Sequence, residues 1–251
     1  LKYAKDSEVN LSEEKIKKLL KLYNLRSLKI RRKKTITKIK DKLYINTSWI
    51  LPEKSRSGFT IYGKESNKLI KFWYQPKTRG KIELSLPKNI IINEEFIQCL
   101  GLSIGDGLNN PGILNNHYNF ANTNLDLVKL IYDWLINSFK LKKENIQISA
   151  FSPENFNSNI QKKKISTLFK INKSKIKIYK TNRSKKLDVV IQFGNSIFQC
   201  LYLELFNKLK KIIFNDMKYR KAFLSGLFAA EGHVKHSTHN TIESIIFAFN
   251  P

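Results

Sequence analysis

Two glycines one helical turn apart constrain this chain more than any other feature. They are Gly101 and Gly105, in the stretch Phe96-Ile-Gln-Cys-Leu-Gly-Leu-Ser-Ile-Gly-Asp-Gly107. Read as a helix, the stretch places both on one face, beside apolar Leu102 and Ile104. Glycine inside a helix costs ~1 kcal/mol against alanine. Two at this spacing imply that another backbone packs very close. The helix is expected to end on Asp106, with Gly107 as its C-cap, so a carboxylate closes a tightly packed helix.

The pattern recurs in Phe223-Leu-Ser-Gly-Leu-Phe-Ala-Ala-Glu-Gly232. Aligned on the final glycine, Gly226 falls on Gly101, Ala230 on Gly105 and Glu231 on Asp106. Each helix is then the close partner that the other requires, with Gly101, Gly105, Gly226 and Ala230 at the interface. Side by side, the two helices bring Asp106 and Glu231 together at one end. Paired carboxylates repel unless cations lie between them, and hard divalent ions are the natural neutralisers. The plainer reading is two unrelated amphipathic helices with incidental acids; the repeated register argues against it.

These residues resemble the LAGLIDADG homing endonucleases. The nine-residue motif reads Cys99-Leu-Gly-Leu-Ser-Ile-Gly-Asp-Gly107 in the first copy and Leu224-Ser-Gly-Leu-Phe-Ala-Ala-Glu-Gly232 in the second. Ile104 and Ala229 replace the earlier acid of the motif. Leu86-Pro-Lys, Glu94-Glu-Phe and Tyr219-Arg-Lys-Ala-Phe resemble the archaeal and intein-type branch, and the likeness runs over residues 86–251. It implies an α+β fold with the motif helices packed at the centre against antiparallel DNA-binding sheets. It also implies site-specific, metal-dependent cleavage of both strands of duplex DNA, with Mg²⁺ (or Mn²⁺ as substitute) held by Asp106 and Glu231 next to Gly105 and Ala230. Family members place a lysine near the metals; Lys208, Lys210 and Lys211 lie in a comparable stretch, and the sequence does not choose among them. A DNA-binding regulator without catalysis and an intron RNA maturase are the alternatives.

A formal net charge of +26 over 251 residues points to a polyanionic partner, most simply nucleic acid. Part of the lysine excess can reflect drift toward Lys, Ile and Asn. Lys162 to Lys186 holds eleven basic residues and no acid. Ile176-Lys-Ile-Tyr within it and Leu187-Asp-Val-Val-Ile-Gln-Phe just after it alternate about a turn at Asn182-Arg-Ser, which reads as a hairpin. Its exposed face is expected to carry DNA contacts from Lys175, Lys177, Lys180, Asn182, Arg183, Lys185, Lys186 and Gln192, with cations on phosphates and amides on adenine edges. A merely solvated strand is the bland alternative.

The remaining chain divides into three expected regions. Residues 1–85 form a basic accessory region, 86–217 the first α+β domain, and 218–251 the start of a second. Ser12, Glu14, Ile16, Leu19, Leu20, Leu22 and Tyr23 read as a capped amphipathic helix. Thirteen Lys or Arg lie between Lys15 and Lys42, fitting either an accessory DNA binder or a solvated basic face. Short β-type runs follow at Phe59–Tyr62 and Leu69–Tyr74, then a basic linker, Gln75 to Gly80. Residues 113–121 (with Asn115, Asn116, His117 and Asn119), Ile146–Ala150 and Thr241–Phe249 read as strands. Leu125–Phe139, behind a cap at Asn122-Thr-Asn, and Ile197–Leu209 read as helices. Leu1 in place of Met, and only nineteen residues after Gly232, lead us to expect a piece of a longer protein, monomeric when whole, from a free-standing or mobile-intron gene more than an intein.

Some chemistries find no support. Cys99 and Cys200 lie in apolar surroundings and read as buried thiols. His233, His236 and His239 lack the companions and spacing of a zinc site and read as loop or DNA-contact residues. No Rossmann, P-loop or Ser/His/Asp arrangement is present. No apolar run reaches membrane-spanning length, so a cytoplasmic or organellar location without membrane contact is expected.

Overall fold

The computed structural model describes residues 36–39, 42–77, 80–106, 117–182, 185–236 and 242–247, the last stretch and 231–236 by backbone alone. The helix expected from Ser12 to Tyr23 lies outside the described residues, as do Gly107, Asn115, Asn116, Arg183 and His239.

Strands β1 (Ile36–Ile39) and β2 (Lys42–Asn46) are antiparallel neighbours. Asn46 then caps a single turn, α1 (Thr47–Ile50), accepting from the Ser48 amide at 2.9 Å. A three-stranded antiparallel sheet follows: β3 (Tyr62–Glu65), β4 (Leu69–Tyr74) and β5 (Ile82–Pro87). Here Tyr62 opens a strand instead of closing one, and Phe59 stacks on Tyr74 with centroids 5.6 Å apart. Strand β6 (Asn89–Ile92) pairs with β2. Strand β5 thus crosses the division expected at residue 85, and β2 is hydrogen-bonded to chain beyond it. Ile45, Phe72 and Tyr74 belong to the same apolar core as Phe96 and Leu205, so the described residues before 85 share one core with those after.

Helix α2 (Glu94–Asp106) is the first motif helix. It leads to β7 (Tyr118–Asn122) and α3 (Leu125–Phe139), whose cap is Asn124, bonded to the Asp126 amide at 3.0 Å. Helix α3 buries Val128, Ile131, Tyr132, Trp134, Leu135 and Phe139, one stripe at helical spacing. Then come β8 (Ile146–Ser152), α4 (Ser158–Phe169), β9 (Ile176–Lys180) and β10 (Asp188–Phe193). The chain continues into α5 (Ser196–Asn215) and the second motif helix, α6 (Met217–Glu231), and ends its described part in the two-stranded β11 (Gly232–His236) and β12 (Ile242–Phe247).

The four-stranded sheet runs in the order β7-β10-β8-β9. Strands β9 and β10 are therefore not a hairpin, contrary to the sequence expectation. Strand β8 lies between them, antiparallel to β10 and parallel to β9, with Ile148 opposite Ile176. A parallel pair requires a crossover, and α4 supplies it. That helix takes up the first part of the basic run after Lys162, burying only Ile165 and Phe169 beneath a polar surface. Alternation in β9 and β10 fixed which face is buried but carried no information on which strand lies alongside.

Burial alternates along β8 and β10, and along β7 and β9 up to their last residues. Phe120, Ile148, Ala150, Ile176, Val189 and Ile191 point into the core with the helices. The opposite face of the sheet is open. The structure is α+β, and among the described residues no helix is long and apolar enough to cross a membrane.

Candidate functional site

Helices α2 and α6 pack against each other so closely that side chains are excluded from the crossing. A Cβ on Gly101 would collide with the Phe223 carbonyl oxygen and lie 3.1 Å from the Leu227 nitrogen. A Cβ on Gly226 would collide with the Gln98 carbonyl oxygen and lie 2.8 Å from the Leu102 nitrogen. These are backbone atoms, which cannot rotate away. The relation is reciprocal: Gly226 stands 125 positions after Gly101 and sits between Gln98 and Leu102, while Gly101 sits between the residues 125 positions after those two.

Contacts at the other end fix the relative direction. Lys218 Nζ meets Glu94 Oε1 at 2.9 Å, and the Tyr219 hydroxyl donates to the Ile92 carbonyl at 3.2 Å. The N-terminal ends are therefore adjacent and the helices run parallel in a shared register. Asp106 ends α2 and Glu231 ends α6, again 125 positions apart, so the two helices terminate level. Gly105 and Ala230, in the last turns, are both half-buried.

The last turn of α2 is braced from two sides. Ser103, completely buried, shares a 2.5 Å hydrogen bond with the Tyr118 hydroxyl of β7, and the Tyr202 hydroxyl of α5 donates to the Ser103 carbonyl at 2.7 Å. Burial pushes the Tyr118 phenol well above its ordinary range, so it stays neutral within this network. Asp106 is half-buried, and the Asn122 side-chain amide donates to its Oδ2. Asn122 reaches it as the last residue of β7, on the same strand face as buried Tyr118 and Phe120. Sequence reasoning placed Asn122 only in the cap of the following helix. Its parity with Tyr118 and Phe120 was the available signal for an inward-facing residue.

Lys208, Lys210 and Lys211 are not brought to this end. Helix α5 bonds to Ser103 through Tyr202, stacks Phe206 on Phe223 with centroids 5.3 Å apart, and has Phe214 beside the first turns of α6, where the Arg220 guanidinium donates to the Phe214 carbonyl. It thus runs away from Asp106. At 1.5 Å per residue the three lysines lie roughly 9–14 Å along the helix beyond Tyr202. Lys208 is half-buried there, and Lys210 and Lys211 are exposed.

The expected DNA-contact residues divide. Lys177 and Gln192 lie on the open face of the sheet. Lys175 is exposed in the 3-10 turn before β9, while Asn182, Lys185 and Lys186 are exposed between β9 and β10. Lys180 is otherwise employed: its ammonium donates to the Pro153 and Glu154 carbonyls, each at 3.1 Å, and to that of Phe156. It pins the loop that enters α4, and all three of its protons are taken.

Strand register completes the open face. Gln192 lies between Asn119 and Gln147, Val190 between Ala121 and Ser149, and Ser149 beside Lys177. Asp188 is opposite Phe151, which in turn lies beside Tyr179. Gln147, Ser149, Phe151 and Tyr179 had not been singled out, although strand parity in β8 and β9 places them there. Asp188 is half-buried, and burial raises its carboxyl above the ordinary range.

Cys99 and Cys200 are free and buried, and burial pushes the Cys99 thiol up to about 12. Among the described residues no group of three or more His, Cys, Asp and Glu is placed to hold a metal ion. No protein-family model, no curated protein and no solved structure matches the chain.

Proposed function

We propose that this protein is a LAGLIDADG-type endonuclease that recognises a DNA site and hydrolyses both strands, with Asp106 and Glu231 as its acidic residues. The observation that carries this reading is the parallel α2–α6 pair, whose glycine crossing sets both helices to end level on an acid. Two accidental amphipathic helices have no reason to share direction, register and terminal charge.

The donor chemistry suits a hard divalent cation such as Mg²⁺. The Asp106 carboxylate is oxygen only, and the helix end behind it gathers the partial negative charge of unpaired carbonyls. Asp106 and Glu231 would hold the ion or ions, with the Gly105 and Ala230 backbone alongside. The bound metal would supply Lewis-acid polarisation of the scissile phosphate and a nucleophilic hydroxide near neutral pH. Asn122 orients the Asp106 carboxylate through a neutral donor, adding no charge of its own. Lys175, Lys177 and Lys185 would take phosphates, while Asn119, Gln147 and Gln192 form a row of amides suited to base edges.

The test is cleavage of a plasmid library containing random inserts, with Mg²⁺ or EDTA, by the wild type and by Asp106→Asn. Mg²⁺-dependent double-strand cutting by the wild type, reduced at least about a thousandfold in the variant, is expected, with DNA affinity kept within about twofold. Binding lost together with cutting would make Asp106 structural and overturn the assignment.

A further inference from the structure

The open sheet face carries a feature that duplex recognition does not use. Phe151 of β8 and Tyr179 of β9 are neighbours across the parallel β8–β9 pair, with ring centroids 5.5 Å apart and planes 29° from parallel. They are 40% and 47% exposed. The Tyr118–Phe198 and Phe139–Phe198 pairs, by contrast, are buried and edge-to-face. A stacked aromatic pair held open to water on a sheet is costly unless something covers it.

We infer that Phe151 and Tyr179 form a stacking platform for unpaired bases, so that this sheet binds single-stranded nucleic acid. Rings stacked on each other spend one face apiece and leave the rest exposed. A duplex groove presents base edges, which fit amides and guanidinium groups, whereas the faces of its bases are occupied by their neighbours. Ring faces are matched only by bases that have left the stack.

The surroundings supply the backbone contacts. Lys177 is two residues before Tyr179 on the same face, Lys173 and Lys175 precede β9, and Lys185 follows it. A strand crossing the platform therefore meets cations on both sides. Lys180, although adjacent to Tyr179 in sequence, is tied to the loop carbonyls and takes no part. Asp188, opposite Phe151, offers an acceptor to an exocyclic amine. This site does not depend on the acids at Asp106 and Glu231, so it stands or falls separately from the cleavage reading.

The experiment is fluorescence anisotropy with the full chain and labelled dT15, rU15 and a 25-base-pair duplex, comparing wild type, Phe151→Ala, Tyr179→Ala and Tyr179→Phe. Each alanine variant is expected to weaken single-strand binding by about tenfold while changing duplex binding less than about twofold, and Tyr179→Phe to restore it. Comparison of dT15 with rU15 shows which sugar is preferred. Equal losses for duplex and single strand, or no loss for either, overturn the platform. Photo-crosslinking of the wild type to a 5-iodouracil strand keeps the question open to refutation if an alanine variant misfolds. Adducts at Phe151 or Tyr179 support the site, and adducts only elsewhere reject it.

Discussion

The two copies of the motif present the same face to each other and different faces to everything else. Helix α2 buries Phe96, Ile97, Cys99, Leu100, Leu102 and Ser103, because the sheet and α3 cover the side away from α6. Helix α6 buries Phe223, Gly226 and Leu227, while Leu224, aligned with Cys99, is 45% exposed and Ser225, aligned with Leu100, lies in water. A repeated motif thus specifies the crossing and leaves the outer surface to local circumstance. Stability is accordingly unevenly distributed. Helix α2 is held from two sides, whereas α6 depends on α2 and on the aromatic contacts of α5 at Phe206 and Phe214.

Breaking the shared face should have the largest effect and strike both copies alike. Gly101→Ala and Gly226→Ala each drive a methyl into a backbone carbonyl and should cost about 3 kcal/mol or more in urea denaturation, despite alanine's better helix propensity. A loss at one position only would mean that the crossing is asymmetric in solution. The unshared faces should then separate the copies. Leu100→Ala is expected to cost about 3 kcal/mol, and Leu224→Ala no more than about 0.5 kcal/mol, by the same measurement. Equal costs would show that the outer face of α6 is covered in solution. The smallest effect belongs to the ion pair at the N-terminal end, where Lys218 and Glu94 are each 58% exposed. Lys218→Ala should lower stability only slightly at low salt and by nothing measurable at 1 M, since exposed pairs are weak and screened. A larger loss would mean that this pair sets the register.

How much of this was legible depended on whether the signal was local. Gly101 and Gly226 could be read as a pair because the residues that cause the close approach also repeat with the acid in place. The bounds of helix α3 were legible to the residue, since apolar residues at helical spacing and a cap within Asn122-Thr-Asn are encoded within a few positions, although Val128, Tyr132 and Phe139 are buried where Leu127 and Leu130 are only half-buried. Strand pairing was not. Ile176 to Tyr179 alternates equally well beside β10 or β8, and the choice rests on a crossover through α4, whose apolar stripe is just Ile165 and Phe169. At the site, Asn122 was hidden because its contact with Asp106 joins residues sixteen positions apart on two different elements. Lys180 looked like every other cation of the basic run; only the loop folded beneath it shows where its protons go.

The level termination of α2 and α6 makes the segment from Gly226 to Glu231 a ruler whose length matters more than most of its chemistry. One residue inserted there would turn the last position about 100° around the axis and carry it 1.5 Å further. Four would return it close to its original bearing, but about 6 Å past its counterpart. Polar and apolar residues can be exchanged along the exposed side of that segment without disturbing this phase. An insertion or deletion in one helix keeps the two ends level only if the other changes by the same number of residues.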